Sequence, residues 1–209
     1  MKNVISMLKD AMILLVITIV AGLILGFVYE ITKEPIAIAE EKAAKEAYAE
    51  VFPDAADFFM LEESMPEGEF MEGWIKAGYE TITVDNVLEA VDEGGNVLGN
   101  VLTVTTSAGY GGNITITMGL KNDGTLNGIS ILSIAETAGL GMKAEDVLKP
   151  QFANKQVASF TYTKSGSTMD SEIDAISGAT ITTDALTTAV NGGLYYFQMQ
   201  LGGSGNETK

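Results

Sequence analysis

The run from Ala11 to Tyr29, AMILLVITIVAGLILGFVY, is 19 residues long and contains no charged side chain. No other feature limits the fold as strongly. A helix rises about 1.5 Å per residue, so the run reaches roughly 28 Å, close to the roughly 30 Å hydrocarbon core of a bilayer. Lys2 and Lys9 precede it, and Glu30, Lys33 and Glu34 follow. Lys and Arg near the ends of a span favour the cytoplasmic side, which puts residues 1–10 in the cytoplasm and the bulk of the chain outside. A helix that is apolar all round suits lipid better than the half-buried surface of a small domain. The competing reading is a cleaved signal peptide, with Ala37-Ile38-Ala39 as an A-x-A-like site. Against it, the run exceeds the roughly 7–15 residue core of such signals, and the triplet stands well past its end.

The charge balance excludes whole classes of partner. Of 209 residues, 12 are Lys and 28 are acidic, for a net charge of −16, and the chain has no Arg, His or Cys. Nucleic acid calls for clustered Lys and Arg against phosphate, so it is not a partner. The same balance disfavours lying flat on anionic lipid. Without Cys there is no disulfide framework, iron–sulfur cluster, thiol nucleophile or c-type haem attachment. Without His there is no Ser-His-Asp triad and no imidazole zinc site. Carboxylates could hold a hard cation, but the stretches DEGGN (92–96) and KNDG (121–124) lack the later Glu of a calcium loop and read as turns. Redox chemistry in this chain would rest on an organic cofactor.

Residues 30–53 read as a stalk helix. The stretch KEPIAIAEEKAAKEAYAEVF is rich in Ala, Glu and Lys, Pro35 suits a first turn, and Pro53 stops the helix. Ile36, Ala39, Ala43, Ala47 and Val51 form a modest stripe; a solvated spacer is the alternative. Residues 54–201 read as an extracytoplasmic domain and residues 202–209 as a flexible tail. Residues 54–73 show no clear period, and the glutamates of 62–72 read as a solvated face. Strand signals then accumulate in TITVDNVLEAVD, GNVLGNVLTVTT, GNITITMGL and LNGISILSI, with a hairpin signal at Asn122-Asp123-Gly124. Tight turns between neighbours imply antiparallel pairing. MKAEDVLKPQF reads as a short helix stopped by Pro150, and VASFTYTK as a further strand. In the last helix, Leu186, Val190, Leu194, Phe197 and Leu201 share one face, with Gly192 and Gly193 marking close packing or a break. Trp74 and Tyr195 to Phe197 read as core or membrane-proximal packing. The fold class is therefore α+β, a mostly antiparallel sheet with flanking helices, preceded by one N-terminal transmembrane helix. Long loops fall at 107–113 and 135–143.

The stretch DAISGATITT, residues 174–183, precedes that last helix. Gly178 lets the backbone turn or approach a ligand, Thr180 offers a hydroxyl, and Thr182 or Thr183 can cap the helix. A helix N-terminus has unpaired N–H groups and the positive end of the dipole, so a phosphate on Thr180 would sit well there. An ordinary helix cap is the plainer reading of the same residues. Asp174-x-x-Ser177-Gly178-Ala179-Thr180 resembles the flavinylation motif of the FMN-binding domain family found in RnfG and NqrC subunits of membrane electron-transport complexes. The resemblance implies one FMN held covalently on Thr180 by a phosphoester, with Asp174, Ser177, Gly178 and Ala179 as the recognition sequence. It also implies a flavin transferase of the ApbE type that makes the bond from FAD.

A second stretch, ETAGLG at Glu136 to Gly141, is similar to the family's Glu-Thr-Pro-Gly-Leu-Gly loop beside the flavin, with Ala138 in place of the proline. It implies cofactor-binding roles for Glu136, Thr137, Gly139, Leu140 and Gly141; by itself the stretch reads as a surface turn. KPQF at 149–152, GYGGNITITMGL and the stalk ending AEVFP also resemble the family. Lys143 reads as a solvated lysine or as a contact to the flavin phosphate. The single anchor and compact length look more like RnfG than NqrC. The resemblance implies an electron-transfer subunit of the Rnf complex. That complex passes electrons between ferredoxin and NAD⁺ and couples this to Na⁺ or H⁺ translocation, so the partners are the other Rnf subunits. The span holds no charged residue, which leaves any ion pathway to those partners. Three alternatives remain open at this point: an FMN-binding domain of another extracytoplasmic reductase or regulator, an NqrC-like subunit of a Na⁺-pumping quinone reductase, and a cofactor-free tethered interaction module.

Overall fold

The structure, a computed structural model, describes residues 2–61 and 68–202. Glu62, Glu63, Glu67 and the tail from residue 203 lie outside the described residues. The chain divides into two units, residues 1–43 and 44–209. Helix α1, Lys2–Val51, crosses the division without a break and carries Pro35 in its interior. This corrects the expectation that Pro35 opens a helix. A proline removes one N–H and crowds the carbonyl four residues back. Here helix-favouring Ile, Ala, Glu and Lys on both sides sustain the helix past that single lost bond. The large apolar side chains from Val4 to Ile31 are each 48–70% exposed. Among the described residues this is the one helix long and apolar enough to cross a membrane.

The second unit is built on a five-stranded antiparallel sheet whose strands lie in sequence order. They are β1 (Asp57–Met60), β2 (Ile82–Val91), β3 (Val97–Thr106), β4 (Ile114–Lys121) and β5 (Leu126–Ile134). The expected turns are made by Asp side chains. Asp92 accepts the N–H groups of Gly94 and Asn96 at 2.8 and 2.9 Å, and Asp123 accepts that of Thr125 at 2.8 Å. Register pairs Leu102 with Met118 and Val104 with Ile116. Side chains alternate across a strand, so these four share one face, and they are fully buried in the main core. Helix α4, Thr180–Tyr196, packs on that face. Its glycines make the approach possible: a Cβ at Gly193 would stand 2.1 Å from Met118 Sδ, and one at Gly192 would stand 3.0 Å from Ile82 Cγ2.

The opposite face meets the end of α1. Val51 and Phe52 pack with Leu88, Ala90 and Val101, and a Cβ at Gly119 would lie 2.7 Å from the Val51 carbonyl. Asn127 Nδ2 donates to that carbonyl at 2.9 Å. The Glu50 carboxylate accepts from Ser130 Oγ at 2.6 Å and Lys149 Nζ at 2.7 Å, and Lys149 also pairs with Glu145. Partial burial works to raise the Glu50 pKa, but the hydrogen bonds from Lys149 and Ser130 and the lysine charge outweigh it and hold it below the usual carboxylate value.

Four stretches depart from the expectations. Strand β1 and helix α2 (Glu69–Lys76) arise where no period was visible. Helix α2 is fixed by Trp74, whose ring lies 5.5 Å from Phe70 and 5.3 Å from Tyr79, and Tyr195 closes the cluster. The segment 142–152 is no regular helix. It runs through a tight turn at Gly141–Lys143, a short helix α3 (Ala144–Val147) and a second tight turn at Lys149–Phe152. Pro150 opens that second turn, where its missing N–H costs nothing, instead of stopping a helix. The strand expected over 157–164 is reduced to β6 (Thr161–Thr163). It pairs in parallel with β7 (Glu172–Asp174), whose last residue opens the segment read as a motif.

Candidate functional site

Two loops meet at the start of α4 and enclose an open cavity of about 520 Å³. Tyr110, Glu136, Thr137, Leu140 and Gly141 line one side, and residues 178–182 line the other. Small-molecule sites usually measure about 300–1,000 Å³.

The first side is shaped by Glu136. Its Oε1 accepts the N–H of Tyr110 at 2.8 Å and, more weakly, that of Gly111 at 3.4 Å. The carboxylate thus ties the 107–113 loop to the 135–140 loop. Space at this junction is minimal. A Cβ at Gly111 would stand 1.9 Å from the Ala135 carbonyl, and one at Gly141 would stand 2.6 Å from Thr182 Oγ1 and 2.7 Å from Glu136 Cβ. Gly141 is glycine because the loop touches the first turn of α4. Gly139 is glycine for conformation, with φ +77° and open space around it. The Thr137 carbonyl accepts from Leu140 and Met142 and closes the turn.

The second side runs from β7 through residues 175–179 into α4. Gly178 has φ +80°, and the Ala179 N–H donates to the Ile176 carbonyl at 3.1 Å. Helix α4 then starts at Thr180, with Ala179 in the capping position and no side-chain cap. This corrects the expectation that Thr182 or Thr183 caps the helix. The turn at Gly178 begins the helix earlier, and both threonines fall in its first turn and face inward. Thr183 Oγ1 accepts the Ile176 N–H at 3.1 Å and donates to the Ala179 carbonyl at 2.9 Å. Thr180 is half-buried on the cavity wall, at a helix N-terminus whose first-turn N–H groups lack intrahelical partners.

The expected residues divide accordingly. Thr180, Gly178, Ala179, Glu136, Thr137, Leu140 and Gly141 come together around one cavity. Asp174, Ser177 and Gly139 do not line it. The Asp174 carboxylate turns away and accepts the Ser167 N–H at 2.7 Å, while Ser177 is exposed. Lys143 is exposed and stands off the wall. The structure adds Tyr110 and Ile181, which the sequence reading did not single out, and Thr182, which it read only as a cap. The signal for Tyr110 was a lone aromatic inside the glycine-rich stretch SAGYGG. Among the described residues, no cluster of acidic side chains is arranged to hold a metal ion. Tyr110, Leu140 and Ile181 offer an apolar wall, the helix N-terminus offers a phosphate seat, and the glycines leave no excess bulk between them. This donor set and volume fit a flavin mononucleotide.

Residues 109–194 match the family model of the FMN-binding domain, and residues 1–51 match that of the RnfG N-terminal region. The RnfG-type component of the Na(+)-translocating ferredoxin:NAD(+) oxidoreductase complex of Acetobacterium woodii is 32% identical over 194 residues, which cover 91% of each chain. The chain belongs to the RnfG family. The corresponding component of the ion-translocating oxidoreductase complex of Methanosarcina acetivorans is 30% identical over 196 residues, covering 93% of this chain and 96% of the relative. The NqrC structure of Shewanella oneidensis superposes with a TM-score of 0.49 at 16% identity, over 72% of this chain and 84% of that one. As an RnfG-type chain the protein is an FMN-binding subunit of an ion-translocating oxidoreductase complex, and its work is electron transport. Its long apolar N-terminal helix anchors it to the membrane.

Proposed function

We propose that the chain carries one FMN esterified to Thr180 and relays electrons within an Rnf-type complex. The observation that carries this reading is the position of Thr180, at the first residue of α4 and on the wall shared with the ETAGLG loop. Attachment is a transfer from FAD by a flavin transferase of the ApbE type. The threonine Oγ forms a bond to the flavin-side phosphorus, the pyrophosphate P–O bond breaks, AMP leaves, and the hydroxyl proton passes to solvent. The resulting phosphodiester keeps a negative charge, and the N-terminus of α4 stabilises it where the chain offers no Arg. When bound, FMN supplies the one- and two-electron chemistry. The chain's own residues hold and shield it. Tyr110, Leu140 and Ile181 would give the bound group apolar cover, Glu136 keeps the two loops closed, and Gly141 and Gly178 would allow close approach.

The arrangement in the cell follows the charge pattern around the span. Residues 1–10 are cytoplasmic, 11–29 cross the membrane, 30–53 form the stalk, and 54–201 form the extracytoplasmic domain, with 202–209 as a tail. A covalent tether suits a carrier that faces outside, where a free cofactor would be lost. The partners are other Rnf subunits. The A. woodii relative is named for Na⁺, ferredoxin and NAD⁺. We extend the ferredoxin-to-NAD⁺ reaction to this chain's complex, with Na⁺ or H⁺ as the ion moved through partner subunits.

The test is Thr180→Ala in the full chain, co-expressed with a flavin transferase. The native chain gives a fluorescent band under ultraviolet light after denaturing electrophoresis. The variant gives a dark band while its circular dichroism and melting temperature stay native. A fluorescent variant band contradicts the assignment of the acceptor.

A further inference from the structure

The acceptor turn is suspended from both ends by side chains outside the wall of the cavity. At its start, Gln151 grips the main chain of Asp174. Its Oε1 accepts the Asp174 N–H at 2.7 Å, and its Nε2 donates to the Asp174 carbonyl at 3.1 Å. The same Nε2 donates to the Val147 carbonyl at 2.7 Å, so the grip is anchored to α3. At its end, the buried hydroxyl of Thr183 bridges the Ile176 N–H and the Ala179 carbonyl. Residues 175–179 start just after the first clamp and contain both main-chain groups held by the second, the Ile176 N–H and the Ala179 carbonyl, and Thr180 follows directly. The parallel pair that Asp174 belongs to is three residues long on each side, too short to fix the turn unaided. Neither Gln151 nor Thr183 lines the cavity.

We infer that Gln151 and Thr183 are positioning residues for attachment: they hold residues 175–179 in the conformation that presents Thr180 Oγ to the transferase. This rests on the reading of Thr180 as the acceptor. A transferase that must take hold of Asp174 to Thr180 meets a segment already shaped when both clamps are closed. When one is open, only a fraction of chains is competent, and the apparent affinity falls by that fraction. The chemistry at the acceptor oxygen is unchanged: the Oγ–P bond still forms, the pyrophosphate P–O bond still breaks, and AMP still leaves. The expected signature is therefore a raised KM for the chain as acceptor with a preserved kcat.

The experiment uses the full chain in detergent with a flavin transferase and FAD, following covalent flavin by in-gel fluorescence against chain concentration. Gln151→Met keeps the bulk and removes the amide. Thr183→Val keeps the shape and removes the hydroxyl, and Thr183→Ser restores it. Gln151→Met and Thr183→Val each raise KM by about tenfold with kcat within about twofold, as expected for a smaller competent fraction. Thr183→Ser returns to within about twofold of native, since the hydroxyl that holds the turn is back. Native KM in both Gln151→Met and Thr183→Val overturns the positioning role and leaves attachment standing. A loss of kcat at unchanged KM, or a loss that tracks the melting temperature alone, also overturns it. A native chain that takes no flavin overturns the acceptor reading and this inference with it.

Discussion

Two helices of this chain each carry a pair of glycines, and the pairs have opposite surroundings. In α1, a Cβ at Gly22 or Gly26 would meet nothing within 4 Å. In α4, a Cβ at Gly192 or Gly193 would press on Ile82 and Met118. Glycine in a helix interior costs about 1 kcal/mol against Ala, so both pairs cost propensity. In α4 the cost is offset by contact with the sheet, which lets the helix whose first residue is Thr180 lie close on β3 and β4. In α1 no contact among the described residues offsets it. The apolar side chains differ in the same way: those of α1 from Val4 to Ile31 are exposed, while Leu186, Val190 and Leu194 of α4 are buried. Hydrophobicity alone therefore does not separate a lipid-facing helix from a core helix; what packs against it does.

The largest way to break this contrast is to fill α4. Gly193→Val places atoms where Met118 already sits, and overpacking of a rigid core costs roughly 1–3 kcal/mol or more. The chain should lose the cooperative melting of its domain or shift it down by many degrees; a native melting temperature would mean the helix stands further from the sheet. Gly141→Ala is the corresponding insult at the cavity, where the added carbon meets Thr182 and Glu136. It should cost about 1–3 kcal/mol, by the same overpacking, and should lower covalent flavin yield with a flavin transferase present. Unchanged yield and stability would show that the loop and the first turn of α4 are not in contact.

A smaller effect comes from the end of α1. The Glu50 pKa is held down in the fold, so its contribution is present above the ordinary carboxylate value and is lost as pH falls through the folded value. Glu50 is 47% exposed, so solvent screens the pair and the contribution is modest. Melting curves of native chain and Glu50→Gln should differ slightly near neutrality and converge in acid; divergence in acid would reverse the sign. The smallest effect is expected from Gly22→Ala, within about 0.5 kcal/mol on the domain in detergent. If the same change weakens the assembled complex, a partner helix lies against Gly22, and the contrast between the pairs sharpens.

Much of the sheet was legible in the sequence because β2 and β4 alternate, β3 is rich in β-branched residues between glycines, and the turns carry Asp, Asn and Gly, which act locally. The element that places Thr180 was legible from its one-sided apolar face. Strand β1 was not: Asp57-Phe58-Phe59-Met60 has no alternation, and its pairing with Val91 to Leu88 supplies the order. Helix α2 was hidden because the aromatic cluster around Trp74 is closed by Tyr195, a partner distant in sequence. Strand β7 was hidden at the entry to the motif, since three-residue parallel pairing depends on Gln151 and on Thr161 to Thr163 instead of a local pattern. At the site, the glycines and Thr180 announced themselves. The inward role of Thr183 and the outward turn of the Asp174 carboxylate followed from where α4 begins, which no residue type announces.

The central claim is tested most directly by mass spectrometry of the native chain after co-expression with a flavin transferase. Trypsin cuts after Lys164 and meets no further Lys before Lys209, so the motif falls in a single peptide, residues 165–209. The account predicts one FMN phosphoester in the intact mass, with fragmentation placing it on Thr180. An unmodified chain, or an adduct placed on Thr182, Thr183 or another residue, would contradict it.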